Sequence, residues 1–266
     1  AESRACEVGL IEANLKLAED RIPSFYSVMS NGKGMKAAWV PDAPYYVEAE
    51  TTLRALVAQR RRWINGSWAG SIFICSQVRT LLGSEHGVLF KLGVVLLLAL
   101  QQVSYTIQAL SPGFFGAAFF HALDTLSYEI GIPTWVQEVA MATYITLYLM
   151  LVFSHSKRFA KKDDVVCNNV MFGIVGLYNG LLMVLLLGVC FYWTISRRQW
   201  IELAILCSML MITAVVALFS DPKVCFRRIV RPFNILCFYF AAPTFVAMLN
   251  AYSTSRIVDL TWGNRP

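Results

Sequence analysis

The sequence predicts a two-part chain: a short α/β portion of a larger domain, followed by an α-helical transmembrane bundle with interfacial helices. Three observations predict it. Hydrophobic residues make up 57% of the 266 and only 15% are charged, whereas soluble domains run at about a quarter charged; the mean hydropathy is +0.54. The apolar residues are unevenly spread, because residues 1 to 63 are mixed in character and long apolar runs come after them. The net charge of +6 gathers in Arg60–Arg62, Lys157–Lys162 and Lys223–Arg231, each beside an apolar stretch. Basic clusters so placed mark cytoplasmic membrane edges and exclude a nucleic-acid face.

In the first part, Leu10–Lys16 reads as a helix leading into Leu17-Ala18-Glu19-Asp20-Arg21. Asn31-Gly32-Lys33-Gly34 is a turn by its glycines and its Asn. Ala37–Val40 is a short strand before Pro41-Asp42-Ala43, and Ala49–Gln59 is a helix that delivers Gln59-Arg60-Arg61-Arg62-Trp63. No basic segment followed by an apolar run opens the chain, so no signal peptide is expected. About twenty residues precede Arg21, too few for the strands and crossover helices of a nucleotide-binding sheet. The chain therefore reads as the C-terminal half of such a domain. Seven cysteines are scattered, mostly in apolar segments (Cys190, Cys207, Cys237), without a CxxC pair or a Cys/His cluster. They read as reduced core thiols, with no metal site. Asp163-Asp164, between two spans, is out of context for a metal-binding DxD.

The second part begins with Ile64–Leu82, where Trp68, Ile72 and Val78 alternate with Ser, Gln and Arg, as in a helix lying in the membrane interface. Residues 88–110, 134–153, 170–195 and 199–219 are each long enough to cross about 30 Å of hydrocarbon. The loop Ser111–Pro133 carries no Lys or Arg, while the loops after the second and fourth spans are basic. That asymmetry puts residues 1–63, the 154–165 loop and the 221–231 loop in the cytosol, with Arg197-Arg198 the discordant pair outside. In residues 232–266, Phe233–Leu249 is apolar but comes after Pro232 and contains Pro243, which removes a backbone donor and kinks a helix. The reading preferred is a broken interfacial or re-entrant segment that returns the tail to the cytosol.

Chemistry concentrates in the basic motif. Arg grips phosphate oxygens through a planar fork, and Trp offers a flat face suited to sugar rings; diphosphate beside sugar describes a nucleotide-sugar. Read alone, the three arginines better suit an anionic-lipid anchor, and Glu19-Asp20-Arg21 better suits an ordinary surface salt-bridge set. In combination, Leu17–Arg21, Val40–Ala43 and Gln59–Trp63 resemble the C-terminal half of the catalytic domain of processive family 2 glycosyltransferases, most closely the chitin synthases of fungi and oomycetes. The terminal Asp259-Leu260-Thr261-Trp262-Gly263-Asn264-Arg265 is similar to that family's WGT(R/K) signature, departing from it at Asn264.

The resemblance implies a GT-A-type fold for the incomplete first part and inverting, processive polymerisation of N-acetylglucosamine from UDP-GlcNAc into β-1,4-linked chitin, passed out through the membrane. It makes Asp20 the base, with Glu19 and Arg21 as neighbours in the acid motif. It puts Gln59 and Arg62 at the donor diphosphate, with Arg60 less fixed, and Trp63 at the acceptor sugar. Trp262, Gly263 and Arg265 would close on the bound substrate. A divalent cation (Mg or Mn) is implied, with ligands outside this chain. The expected location is the plasma membrane, with the catalytic part cytoplasmic; a second copy of the chain is a candidate partner, and nucleic acid is not.

Polar residues inside spans are costly. Gln101, Tyr105 and Gln108 share one helical face, as do Gln137, Tyr144 and Tyr148. These stripes suit either the path of a neutral polysaccharide or interhelical hydrogen bonds. Two rival functions remain: a hyaluronan or cellulose synthase, and a non-catalytic membrane transporter or scaffold. The Leu17–Arg21 context and the tail speak against the first, and the lack of paired broken repeats against the second.

Overall fold

The computed structural model describes residues 9–18, 22–23, 50, 52–155, 165–220, 222 and 231–258. They form helices: α1 Leu10–Leu15, continued by a 3₁₀ turn Lys16–Ala18; α2 Leu53–Ser76; α3 Val78–Gly83; α4 Val88–Ile130; α5 Thr134–His155; α6 Val165–Ser196; α7 Trp200–Ser220; α8 Pro232–Pro243; a π-helical turn Thr244–Met248; and α9 Leu249–Ser255. Among the described residues there is no strand, and the strand expected at Ala37–Val40 lies outside them. The helical membrane part therefore stands, while the α/β character of the first part remains an expectation.

The chain divides into two compact units. In the first, α2 is the hub, packed against α1 with its 3₁₀ turn and against α9. Its start is set by Thr52, in extended backbone, whose hydroxyl accepts from the Ala55 N–H. No proline lies between Gln59–Trp63 and Ser76, and Gly66 and Gly70 are carried within the helix, so α2 runs 24 residues without interruption. The basic motif thus sits inside a helix rather than at the end of one, and the segment read as a separate interfacial helix over 64–82 shares that helix before α3. The Lys91 ammonium donates to the Leu82 carbonyl at 2.7 Å and so caps α3.

Four helices are long and apolar enough to cross a membrane: Val88–Ile130, Thr134–Ser154, Val170–Ser196 and Phe233–Ser255; Trp200–Ile212 is a shorter apolar helix. The first corrects an expectation. In place of a loop over Ser111–Pro133, α4 continues through Pro112 to Ile130, 43 residues in all. At 1.5 Å per residue it extends about 64 Å, roughly twice a hydrocarbon core. The apolar run Gly113–Leu126 keeps helical character, and Gly131, at φ +74°, ends the helix with its N–H on Ser127.

In the second unit, two helices run through a proline, and side chains from other segments bond close to each one. The Tyr144 hydroxyl donates to the Pro112 carbonyl at 2.7 Å, and the Ser111 hydroxyl donates to the Val246 carbonyl in the π-turn at 2.9 Å. Across Pro243 the helix does not stop. It widens into the π-turn, the usual way a helix absorbs a lost backbone donor. Helices α6 and α8 meet where Gly180 lets the Phe240 ring lie against backbone; a Cβ there would fall 2.3 Å from the ring. The Tyr239 hydroxyl reaches the Leu210 carbonyl of α7. Arg197, one of the discordant pair, stacks over Trp193 at 4.7 Å and meets Glu129 at 3.1 Å, so its charge is partly answered locally.

Candidate functional site

Helix α2 exposes and buries its motif residues at helical spacing. Val57, Arg61, Arg62, Asn65, Gly66, Ala69 and Gly70 form its covered face. Arg61 is 2% exposed and Arg62 8%, and both are engaged in polar or electrostatic contacts. A guanidinium is tolerated at such depth only when its charge and donors are answered. Trp63 lies opposite and is 45% exposed, with the Arg60 guanidinium 5.1 Å from the ring centre. Gln59 and Arg60 are half-buried. The arrangement offers buried, held cations on one side and an accessible indole one residue further along, a pairing suited to an anion beside a flat apolar-polar ring.

The catalytic candidate Asp20, with Glu19 and Arg21, lies outside the described residues, as do Trp262, Gly263 and Arg265. The segments that lead up to Asp20 and to Trp262 are described, and both pack on α2. The 3₁₀ turn ends at Ala18, two residues before Asp20, and packs on α2. Asn14, 0% exposed, donates through Nδ2 to Leu10 O in its own helix at 2.9 Å and to Ile257 O at 3.0 Å. Ile257 lies five residues before Trp262. From α2, the Nδ2 of Asn65, 3% exposed, donates to Ser253 O at 3.0 Å. The approaches to the acid motif and the tail motif are therefore both joined to the helix that carries the basic motif.

The expected span residues divide. Gln101 is exposed; Tyr105 and Gln108 are half-buried, and Gln108 bonds Ser104 on its own helix at 3.0 Å. The residue of α4 that reaches α2 is Gln102, whose Nε2 donates to the Ser71 hydroxyl and, at 3.3 Å, to Cys75 Sγ. Gln137, Tyr144 and Tyr148 are buried in the second unit. Gln137 reaches Phe120 O at 3.4 Å, Tyr144 reaches Pro112, and Tyr148 accepts from Asn179 Nδ2 at 3.0 Å. Sequence reasoning misses Asn14, Asn65, Gln102 and Asn179. Asn65 alone carries a signal there, since it lies one helical turn after Arg61.

Among the described residues no group of three or more His, Cys, Asp or Glu could hold a metal ion. They supply no donor set for the divalent cation that the resemblance implies.

Residues 1–78 match the model of a chitin synthase-like glycosyltransferase domain. Chitin synthase 1 of Mycosarcoma maydis is 26% identical over 95% of this chain, and chitin synthase A of Ampelomyces quisqualis 22% over 97%. Chitin synthase 7 of Cryptococcus neoformans is 23% identical over 97%. The chain spans 29% of the length of the first of these relatives and 30% of the other two. The similarity to these relatives continues past residue 78 into the apolar helices.

Proposed function

We propose that this chain is the C-terminal part of the catalytic domain, together with the membrane region, of a processive enzyme that polymerises N-acetylglucosamine from UDP-GlcNAc into β-1,4-linked chitin and passes it across the membrane. The observation that carries the reading is the convergence on α2: the segments leading to Asp20 and to Trp262 both join the helix that holds Gln59–Trp63.

The Asp20 carboxylate takes the proton from the acceptor hydroxyl as that oxygen attacks the anomeric carbon. The bond from the anomeric carbon to the diphosphate oxygen breaks, and UDP leaves with the electron pair. Negative charge grows on the diphosphate in this step, and Arg62 with Gln59 stabilises it. A cation held in place before the reaction costs no reorganisation during it, and burial of Arg62 holds it so. Trp63 stacks on the terminal acceptor sugar. Arg60, above the indole, fixes the ring's orientation as well as contributing charge.

The tail acts from the same side. For Trp262 and Arg265 to reach the substrate, the apolar segment before them must deliver the tail to the cytosolic face. The bond from Asn65 to Ser253 supports that delivery. Of the two polar stripes, Gln101 with Tyr105 is the better lining for a polysaccharide path, because the other stripe spends its polar atoms on neighbouring helices. The divalent cation, Mg or Mn, draws its ligands from outside this chain.

The test is product identity. The full-length enzyme in membranes is incubated with labelled UDP-sugars, and the insoluble product is treated with a chitin-specific hydrolase. Label from UDP-GlcNAc that the hydrolase fully releases supports the reading. Label incorporated from UDP-glucose, or a product that resists the hydrolase, overturns it.

A further inference from the structure

The buried amides of Asn14 and Asn65 have no place in the chemistry above, and their burial is costly. Asn14 sits in a core position of α1 where an aliphatic side chain would pack as well. Its Oδ1 is buried without a hydrogen-bond partner among the described residues, and so is the Oγ of Ser253. Stranding a buried acceptor opposes stability, so stability alone is a poor reason for an amide there. What the amides accomplish is directional. Asn14 spends both Nδ2 hydrogens, one on its own helix and one on Ile257. Asn65 spends one on Ser253, a turn earlier in the same segment. Both bonds end on main-chain carbonyls, which fix the path of the tail without regard to its side chains. Between them they hold the last described turn of the chain at two points, one from the α1 side and one from α2.

We infer that Asn14 and Asn65 are positioning residues that dock the 249–258 segment onto α1 and α2, so that the tail motif is presented to the substrate held by the other two motifs. The inference rests on the proposed function. The two amides act through the tail, touching neither donor nor acceptor. Without them the 249–258 segment loses the bonds that fix its register on α1 and α2. A small misplacement of this kind is enough to cost turnover heavily. Donor binding, which depends on Arg62 and Gln59 within α2, is left intact.

A double-mutant cycle in the full-length enzyme tests this. Asn65→Ala and Asn14→Leu, made singly, are compared with Trp262→Ala and with each combined variant, using initial rates of chitin formation and KM for UDP-GlcNAc. Each asparagine variant should lower kcat by about ten- to a hundredfold, with KM changed less than about threefold. In the Trp262→Ala background the same substitutions should lower kcat by less than about twofold, because the tail they position is already disabled. Equal fold-losses in both backgrounds would show a general structural role and overturn the inference. Membrane yield and thermal midpoint are measured alongside. Asn65→Asp, of unchanged size, stands in if Asn65→Ala does not accumulate, and it should show the same dependence on Trp262. A wild type that makes no chitin would defeat the proposed function itself and this inference with it. A wild type that makes chitin while Trp262→Ala is fully active would leave the synthase reading intact and remove the tail from the site, overturning this inference alone.

Discussion

Both units of the chain bury polar side chains, and they do so for opposite reasons. In the first, Asn14, Asn65, Arg61 and Arg62 lie at the junction of three segments that are far apart in sequence. In the second, Tyr144, Ser111, Tyr239 and the Tyr148–Asn179 pair link neighbouring apolar helices, several of them at backbone groups next to a proline. Polar burial around α2 joins the segments of the proposed site; polar burial among the spans cross-links neighbouring helices. The difference predicts how substitutions divide. Changes in the first unit should alter turnover at nearly constant protein level, whereas changes in the second should alter stability at nearly constant chemistry.

Asp20 gives the largest expected effect. Asp20→Asn keeps size and leaves the diphosphate contacts alone, so polymer formation should fall by about 10²–10⁴-fold while UDP-GlcNAc binding persists. A variant retaining a third of the wild-type rate would rule Asp20 out as the base.

The arginines sharpen the comparison within the first unit. Arg62→Ala should weaken UDP binding and lower turnover by about 10²–10³-fold. Arg60→Ala, at the half-buried position over Trp63, should cost less than about tenfold and vary with anionic lipid content. Equal, lipid-insensitive losses would show that the cluster acts as a single charge rather than as residues with separate tasks.

The scaffold is probed at Gly180. Gly180→Ala places a Cβ within 2.3 Å of the Phe240 ring, an overpacking that costs about 1–3 kcal/mol. The thermal midpoint in detergent should drop, KM for UDP-GlcNAc should hold, and Phe240→Leu in the same chain should restore much of the loss. Smaller still is Tyr144→Phe, which removes one hydrogen bond to the Pro112 carbonyl, worth about 1 kcal/mol. If Tyr144→Phe shortens the polymer instead of loosening the fold, the second stripe lines the product path and the division between the units is wrong.

Much of this organisation is legible from patterns in the sequence. Hydropathy marks the spans, because twenty apolar residues in a row have few other uses. The helix into Glu19-Asp20-Arg21 and the helix carrying Gln59–Trp63 come from local pattern. The continuation of α4 through Pro112 is not legible. A proline argues for a break when read alone, and the helix's surroundings at that point, such as Tyr144 32 residues away on the Pro112 carbonyl, carry no local signal. The turn at Pro243 is hidden for the same reason, since a lost donor can end a helix or merely widen it, and the neighbours decide. By helical geometry Arg61 faces away from Arg62, yet both are buried in a helix on which α1 and α9 both pack. Asn14 and Asn65 carry no local sign of their role, because the carbonyls they reach are 243 and 188 residues distant.

The central claim is that the tail and the basic motif share one site, and a sidedness measurement tests it most directly. Ser76→Cys, at the exposed end of α2, and Thr254→Cys, exposed on α9, are introduced separately into a full-length protein without other thiols. Sealed right-side-out vesicles are treated with an impermeant thiol reagent before and after opening. The account predicts the same outcome for both: protection in sealed vesicles and full labelling once they are opened. Labelling of Thr254→Cys in sealed vesicles while Ser76→Cys stays protected would put the two segments on opposite faces of the membrane and contradict the shared site.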